Sequence, residues 1–140
     1  MFTSKKQVLS FLNGSACRVE AGENSTFNFF GLKPEKPCIT VPGKYMNELC
    51  NSLFKAKEKV AITTAVQGND IVVASYPIFT AEDNTDIVLD VQTYSGNVSV
   101  WLKKFKTVNG QRRGCPGWVI FNDMDPQILH NFFTECNKPF

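Results

Sequence analysis

The chain has 140 residues, 43% hydrophobic and 20% charged, at a formal net charge of +2; this is the balance of a globular chain rather than a disordered one, and the length suits one domain with its own core. Five cysteines (Cys17, Cys38, Cys50, Cys115, Cys136), odd in number and without C-x-x-C spacing, argue against a disulfide framework and against a zinc site, so neither metal nor cofactor is expected. No apolar run approaches the ~20 residues of a membrane span, and the first residues hold no secretory h-region, so a reducing setting, cytoplasmic or nuclear, is expected.

The apolar run Val8 to Leu12 meets Asn13-Gly14, and Ala16 to Glu20 follows. Asn-Gly between apolar runs predicts a hairpin, because both residues tolerate positive φ. Gly22 to Asn24 predicts a turn. Thr26 to Leu32 predicts a strand with Phe27 and Phe29 on one face and Phe30 on the other. A rigid loop, Lys33 to Pro37, leads to a short strand, Cys38 to Val41. After Pro42-Gly43 the doublets Tyr45/Met46, Leu49/Cys50 and Leu53/Phe54 recur every four residues, which predicts an amphipathic helix. Lys55, Lys57 and Lys59 are placed near its C-terminal end.

Val60 to Val66 and Ile71 to Tyr76 then read as strands, joined by a turn at Gln67 to Asp70. Pro77 to Asp86 reads as an acidic loop, and Ile87 to Tyr94 as a strand. A turn at Ser95 to Asn97 leads into a basic strand, Val98 to Thr107. Asn109-Gly110 is a second hairpin signal, and the chain returns through Cys115-Pro116-Gly117 to Phe121. Asp125 suits a helix N-cap and Pro126 the first helical position, with Ile128, Leu129, Phe132, Phe133 and Cys136 as the apolar stripe. Three Asn-x-Ser/Thr sequences, at Asn13, Asn24 and Asn97, read as turn chemistry rather than glycan acceptors.

The expected fold is α+β: two tandem strand-strand-strand-strand-helix units, residues 1–59 and 60–140 of a single domain, forming antiparallel curved sheets with a helix packed on each. The repeat rests on topology: each unit ends in a short β-branched strand, a Pro-containing break and a helix with apolar doublets.

Motifs of enzymes are missing. There is no phosphate-binding loop, no G-x-G-x-x-G and no H-E-x-x-H. The single histidine, His130, is expected off the apolar stripe and facing solvent. Cys115 beside Arg112 and Arg113 is the one conceivable nucleophile, with His130 as its base, but nothing in the sequence brings the two together. The chain is therefore read as non-enzymatic.

The stretch Val98 to Trp118 holds Lys103, Lys104, Lys106, Arg112 and Arg113 and no acid, so the remainder of a chain at +2 carries −3. Alternation puts Ser99, Trp101, Lys103, Phe105 and Thr107 on one face and Val98, Val100, Leu102, Lys104 and Lys106 on the other. The second face begins purely apolar and should turn toward the helices, leaving Trp101 and Phe105 outward with a lysine between them. Rings that stack on bases, beside cations that follow phosphates, suit single-stranded nucleic acid. No helix carries a basic recognition face for duplex DNA.

These residues resemble a family. The run VSVWLKKFKTVNGQRRGCPGWVIFNDMDPQILHNFF is similar in plan to the positive-cofactor-four transcription coactivators: basic strand, Asn-Gly turn, basic return strand, Pro-started helix. The tandem units resemble the Whirly and Pur-alpha arrangement. Gln127 is followed by Ile128, where the coactivator helix has a Gln-Trp pair. The resemblance implies a curved sheet that binds single-stranded DNA and a helix that builds a dimer. Its carry-over is limited to Trp101, Lys103, Lys104, Phe105, Lys106, Arg112 and Arg113. The expectation is a single-stranded DNA-binding protein, with RNA as the other ligand, a homo-oligomer of two or more chains acting in replication, recombination or transcription. The rival is a protein-interaction module using the Trp101/Phe105 face.

Overall fold

A computed structural model describes residues 5–63, 72–94 and 96–136. The chain is α+β: two antiparallel sheets whose strand groups are each followed by a helix. Helix α1 (Lys5–Leu12) precedes strands β1 (Cys17–Ala21), β2 (Thr26–Gly31) and β3 (Ile39–Pro42), which pair in the order β1-β2-β3. Helix α2 (Met46–Thr63) follows. Strands β4 (Val72–Thr80), β5 (Thr85–Tyr94), β6 (Asn97–Val108) and β7 (Gln111–Met124) form the second sheet in sequential order, and helix α3 (Pro126–Thr134) closes it.

The first unit thus holds three strands, not four. Val8 to Leu12 belongs to α1, and Asn13-Gly14 turns no hairpin. Short apolar runs serve helix and strand alike, and here Leu12 is fully buried beneath the helix end. Gly14 has another use: a Cβ there would stand 2.2 Å from the Ile120 carbonyl oxygen, so glycine lets the chain lie directly against β7. Ala16 N–H donates to the same carbonyl at 3.2 Å.

Helix α2 runs past its predicted end. Leu53, Ala56 and Val60 continue the helical spacing and are all fully buried, so Val60 to Thr63 is helix rather than strand. Residues 64–66 of that expected strand, and the turn at 67–70, lie outside the described residues. The lysines expected at the helix end stand mid-helix, and Lys57 Nζ lies 3.8 Å from the centre of the Phe54 ring. The acidic loop is short as well. β4 continues through Pro77 with a register shift, leaving Ala81 to Asn84 as the turn, with Asn84 at φ 64°.

The second hairpin forms as predicted. Asn109 (φ 51°) and Gly110 (φ 75°) both adopt the left-handed conformation of a primed turn. Asp125 caps α3, its carboxylate accepting from Gln127 N–H at 2.8 Å and Ile128 N–H at 3.3 Å, with Pro126 at the first position. One core joins both sheets to the helices: Phe27, Phe29, Val41 and Leu49 from the first unit meet Leu89, Val100, Leu102, Ile120, Leu129 and Phe133 from the second. No helix among the described residues is long and apolar enough to cross a membrane.

Candidate nucleic-acid interface

β6 alternates regularly in burial from Asn97 to Leu102. Val98, Val100 and Leu102 are fully buried, while Ser99, Trp101, Lys103 and Phe105 are half-buried on the other side. The two faces are therefore as alternation predicts. β7 bends against β6 through three register shifts, one of which places Pro116 and Gly117 opposite a single β6 residue. Beyond Lys106 the hairpin passes the end of β5, and residues 106–114 are exposed.

The seven basic and aromatic residues do not form one surface. Trp101, Lys103, Phe105 and Arg112 share the outward face, since Thr107 lies opposite Arg112 and Phe105 opposite Gly114. Lys104, Lys106 and Arg113 alternate to the other face, with Lys106 opposite Arg113. The Arg112 guanidinium lies over the Phe105 ring, 4.3 Å from its centre. Lys103 Nζ stands 5.7 Å from the Trp101 ring centre.

Asp90 is the residue whose place on this face the sequence does not show. It lies on β5 directly opposite Trp101, on the same face, and is only 4% exposed. Its carboxylate accepts from Ser75 Oγ at 2.6 Å and pairs with Lys103 Nζ at 3.0 Å. A buried carboxylate needs such partners, and here one of the predicted phosphate-binding cations supplies the charge. A lone aspartate inside the apolar run Ile87-Val88-Leu89-Asp90-Val91 was the available signal. Asp86 also faces outward, opposite Phe105, and accepts from Thr80 Oγ1 at 2.7 Å. On the face itself two acids thus balance Lys103 and Arg112. Lys106, Arg112 and Arg113 make no ion pair among the described residues, and they concentrate at the exposed tip.

The chain matches no family model, no curated protein and no solved structure.

Among the described residues no cluster of His, Cys, Asp or Glu has the geometry to hold a metal ion. Cys17, Cys38, Cys50 and Cys136 are free thiols. Burial raises the Cys17 pKa, and contact with the Cys50 thiol together with burial raises that of Cys136, so neither is poised as a thiolate. The Cys115 side chain lies outside the described residues. His130, expected to face solvent, is instead half-buried on α3, and its Nδ1 is buried without a hydrogen-bond partner.

Proposed function

We propose that the protein binds single-stranded nucleic acid, DNA or RNA, along the β6–β7 ribbon, without catalysing a reaction. One observation carries the reading: Trp101 and Phe105 stand two strand repeats apart on the outward face, and the Arg112 guanidinium rests on Phe105 beside the cationic tip. Bases stack on the two rings, and phosphates follow Arg112, Lys106 and Arg113 around the tip. Lys103 enters this reading as a partner of Asp90 that stands beside Trp101, not as a free phosphate contact. Lys104 faces away from the stacking surface. The likeness of the ribbon and its Pro-started helix to the single-strand-binding coactivator plan belongs to the same proposal, as does a role in replication, recombination or transcription in the cytoplasm or nucleus.

Assembly into a dimer or larger oligomer is part of the proposal. Ile128 and Phe132, one helical turn apart on α3, are 46% and 43% exposed. Such a pair supports a helix contact between copies.

A titration of labelled oligo(dT) at about 50 and about 200 mM salt tests the reading, because neutralising several phosphates makes affinity fall steeply with salt. Saturable binding that weakens across this range is expected. Absence of binding at the lower salt would refute it. The balance of Asp86 and Asp90 against Lys103 and Arg112 favours, as second reading, a protein partner on the same face. Salt-insensitive capture of a protein by the Trp101/Phe105 face, without oligonucleotide binding, would select it.

A further inference from the structure

A recess opens on the outward face of the second sheet, next to the stacking residues. Its volume is about 380 Å³, and its lining includes Pro77, Thr80, Asp86, Val88 and Arg112. The strands explain why these five meet. Asp86 lies opposite Thr80 on one side and Phe105 on the other, and Val88 lies opposite Pro77 and Lys103. β4 is an edge strand, where proline is tolerated, and its register shifts between Pro77 and Phe79, which bends it. Arg112 comes from β7, two strands away from β5. It lies over the Phe105 ring on the strand between and still lines the recess.

Asp86 and Arg112 thus face one recess with opposite charges, yet they form no ion pair among the described residues. Asp86 Oδ1 accepts from Thr80 Oγ1 at 2.7 Å, which leaves Oδ2 as the oxygen that Thr80 does not engage. Arg112 adds a planar fork of N–H donors. A phosphate would meet the carboxylate as a like charge, and a cation would meet the guanidinium. A neutral, flat group that donates at one end and accepts at the other satisfies both. The edge of a nucleobase is such a group. Phe105, on which a base stacks in the reading above, is one strand spacing, about 4.8 Å, from Asp86.

The four bases differ in how many of these groups they meet. Cytosine carries an amino donor at one end of its pairing edge and two acceptors, N3 and O2, after it. That is one donor for Oδ2 and two acceptors for the arginine fork. Guanine has the reverse count, one acceptor and two donors. Thymine or uracil sets its donor between two carbonyls, one of which would face the carboxylate. Adenine matches the amino group but brings a single acceptor to the fork. We infer that the recess is a cytosine subsite of the stacking face, with Asp86 and Arg112 as its specificity-determining residues; it holds only if the ribbon binds single strands as proposed above.

Four labelled oligonucleotides of one length, oligo(dT) and its versions with a single central dC, dA or dG, test this by titration of the full chain at about 50 mM salt. The dC strand should bind at least about fivefold more tightly than the other three, the discrimination a bidentate base contact gives. Asp86→Ala should bring the dC strand to the level of oligo(dT) without weakening oligo(dT), since the group removed is an acid, and its circular dichroism should be unchanged. Arg112→Lys keeps the charge and loses the fork, so the ratio of dC to dT should fall toward one. Thr80→Val releases Oδ1, the carboxylate then offers two oxygens, and the gap between dC and dG should narrow. Equal affinity of the four strands, or a dC preference that survives Asp86→Ala, overturns the cytosine subsite and leaves the ribbon reading standing. An unmoved ratio of dC to dG in Thr80→Val overturns it too, and this variant decides the matter where Asp86→Ala does not fold. Failure of every strand to bind overturns both readings.

Discussion

The two sheets use the same chemistry with opposite outcomes. In the first, Phe27 and Phe29 are fully buried, and Phe30 on the other face is 7% exposed under the Arg18 guanidinium, 4.2 Å from the ring centre. In the second, Trp101 and Phe105 stay half-buried on the outward face, and the Arg112 guanidinium covers Phe105 at nearly the same distance. What separates them is what holds the cation. Arg18 donates to the Pro34 carbonyl at 3.1 Å and sits 3.8 Å from Glu20. Arg112 has no such tie among the described residues. A cation over a ring closes off one sheet and leaves the other available, so the commitments of the cation matter more than the pair itself.

Substitution of a ring in either sheet should have opposite effects. Phe29→Ala should cost about 3–5 kcal/mol of stability, read by urea unfolding, because it opens a cavity in the shared core. A cost below about 1 kcal/mol would mean that the first sheet's rings are as dispensable to the fold as those of the second. Trp101→Ala should leave the fold in place and weaken oligo(dT) binding by about 1–3 kcal/mol. An unfolded Trp101→Ala chain would instead make the outward ring a structural element like Phe29.

Smaller effects are expected at Asp125, Asp90 and Thr85. Asp125→Ala removes the cap of α3 and should cost about 1 kcal/mol, measured by thermal or urea unfolding. Asp90→Asn keeps an acceptor for Ser75 but frees the Lys103 charge, so the log–log salt slope of oligo(dT) binding should steepen by about 0.7. An unchanged slope would show that Lys103 stays away from phosphate even when released. Smallest is the turn at Asp83. Hydrogen bonds from the Thr85 side chain and backbone hold its carboxyl below the usual range, helped by Lys106. A depressed folded pKa contributes stability above the ordinary carboxylate pKa, and that contribution is lost as pH falls through the folded value. Thr85→Val should move the Asp83 titration, followed by carbon NMR, back upward, and an unmoved titration would refute this account.

Local signals reached the structure where one residue type has one job. Asn109-Gly110 demanded positive φ, Asp125-Pro126 a capped start, and the doublets from Tyr45 to Phe54 a helix on a core. Each could be read without knowing what lay opposite. The apolar runs at Val8 and Val60 could not, because helix and strand share their residues and the choice fell to tertiary burial. The faces of β6 were readable because period two holds from Asn97 to Leu102 and sets the phase of the rest. Its electrostatics were not, because Asp90 comes from the neighbouring strand and only pairing brings it to Lys103.

The Gly14 contact with Ile120 bears on how the chain reaches this structure. Asn122 N–H donates to Ser15 Oγ at 2.7 Å across 107 positions of sequence, beside the bond from Ala16 N–H to the Ile120 carbonyl. The amino-terminal strands therefore take their final seat against the last strand of the sheet. Closing so long a loop carries an entropic cost before any contact repays it, so this seat should form after the consecutive hairpins of the second sheet. During synthesis, Leu12, Cys17 and Phe27 have no completed core to enter until β7 is made. Until then the first sheet is an unfinished surface, and its free edges are the part of the molecule most exposed to mispairing.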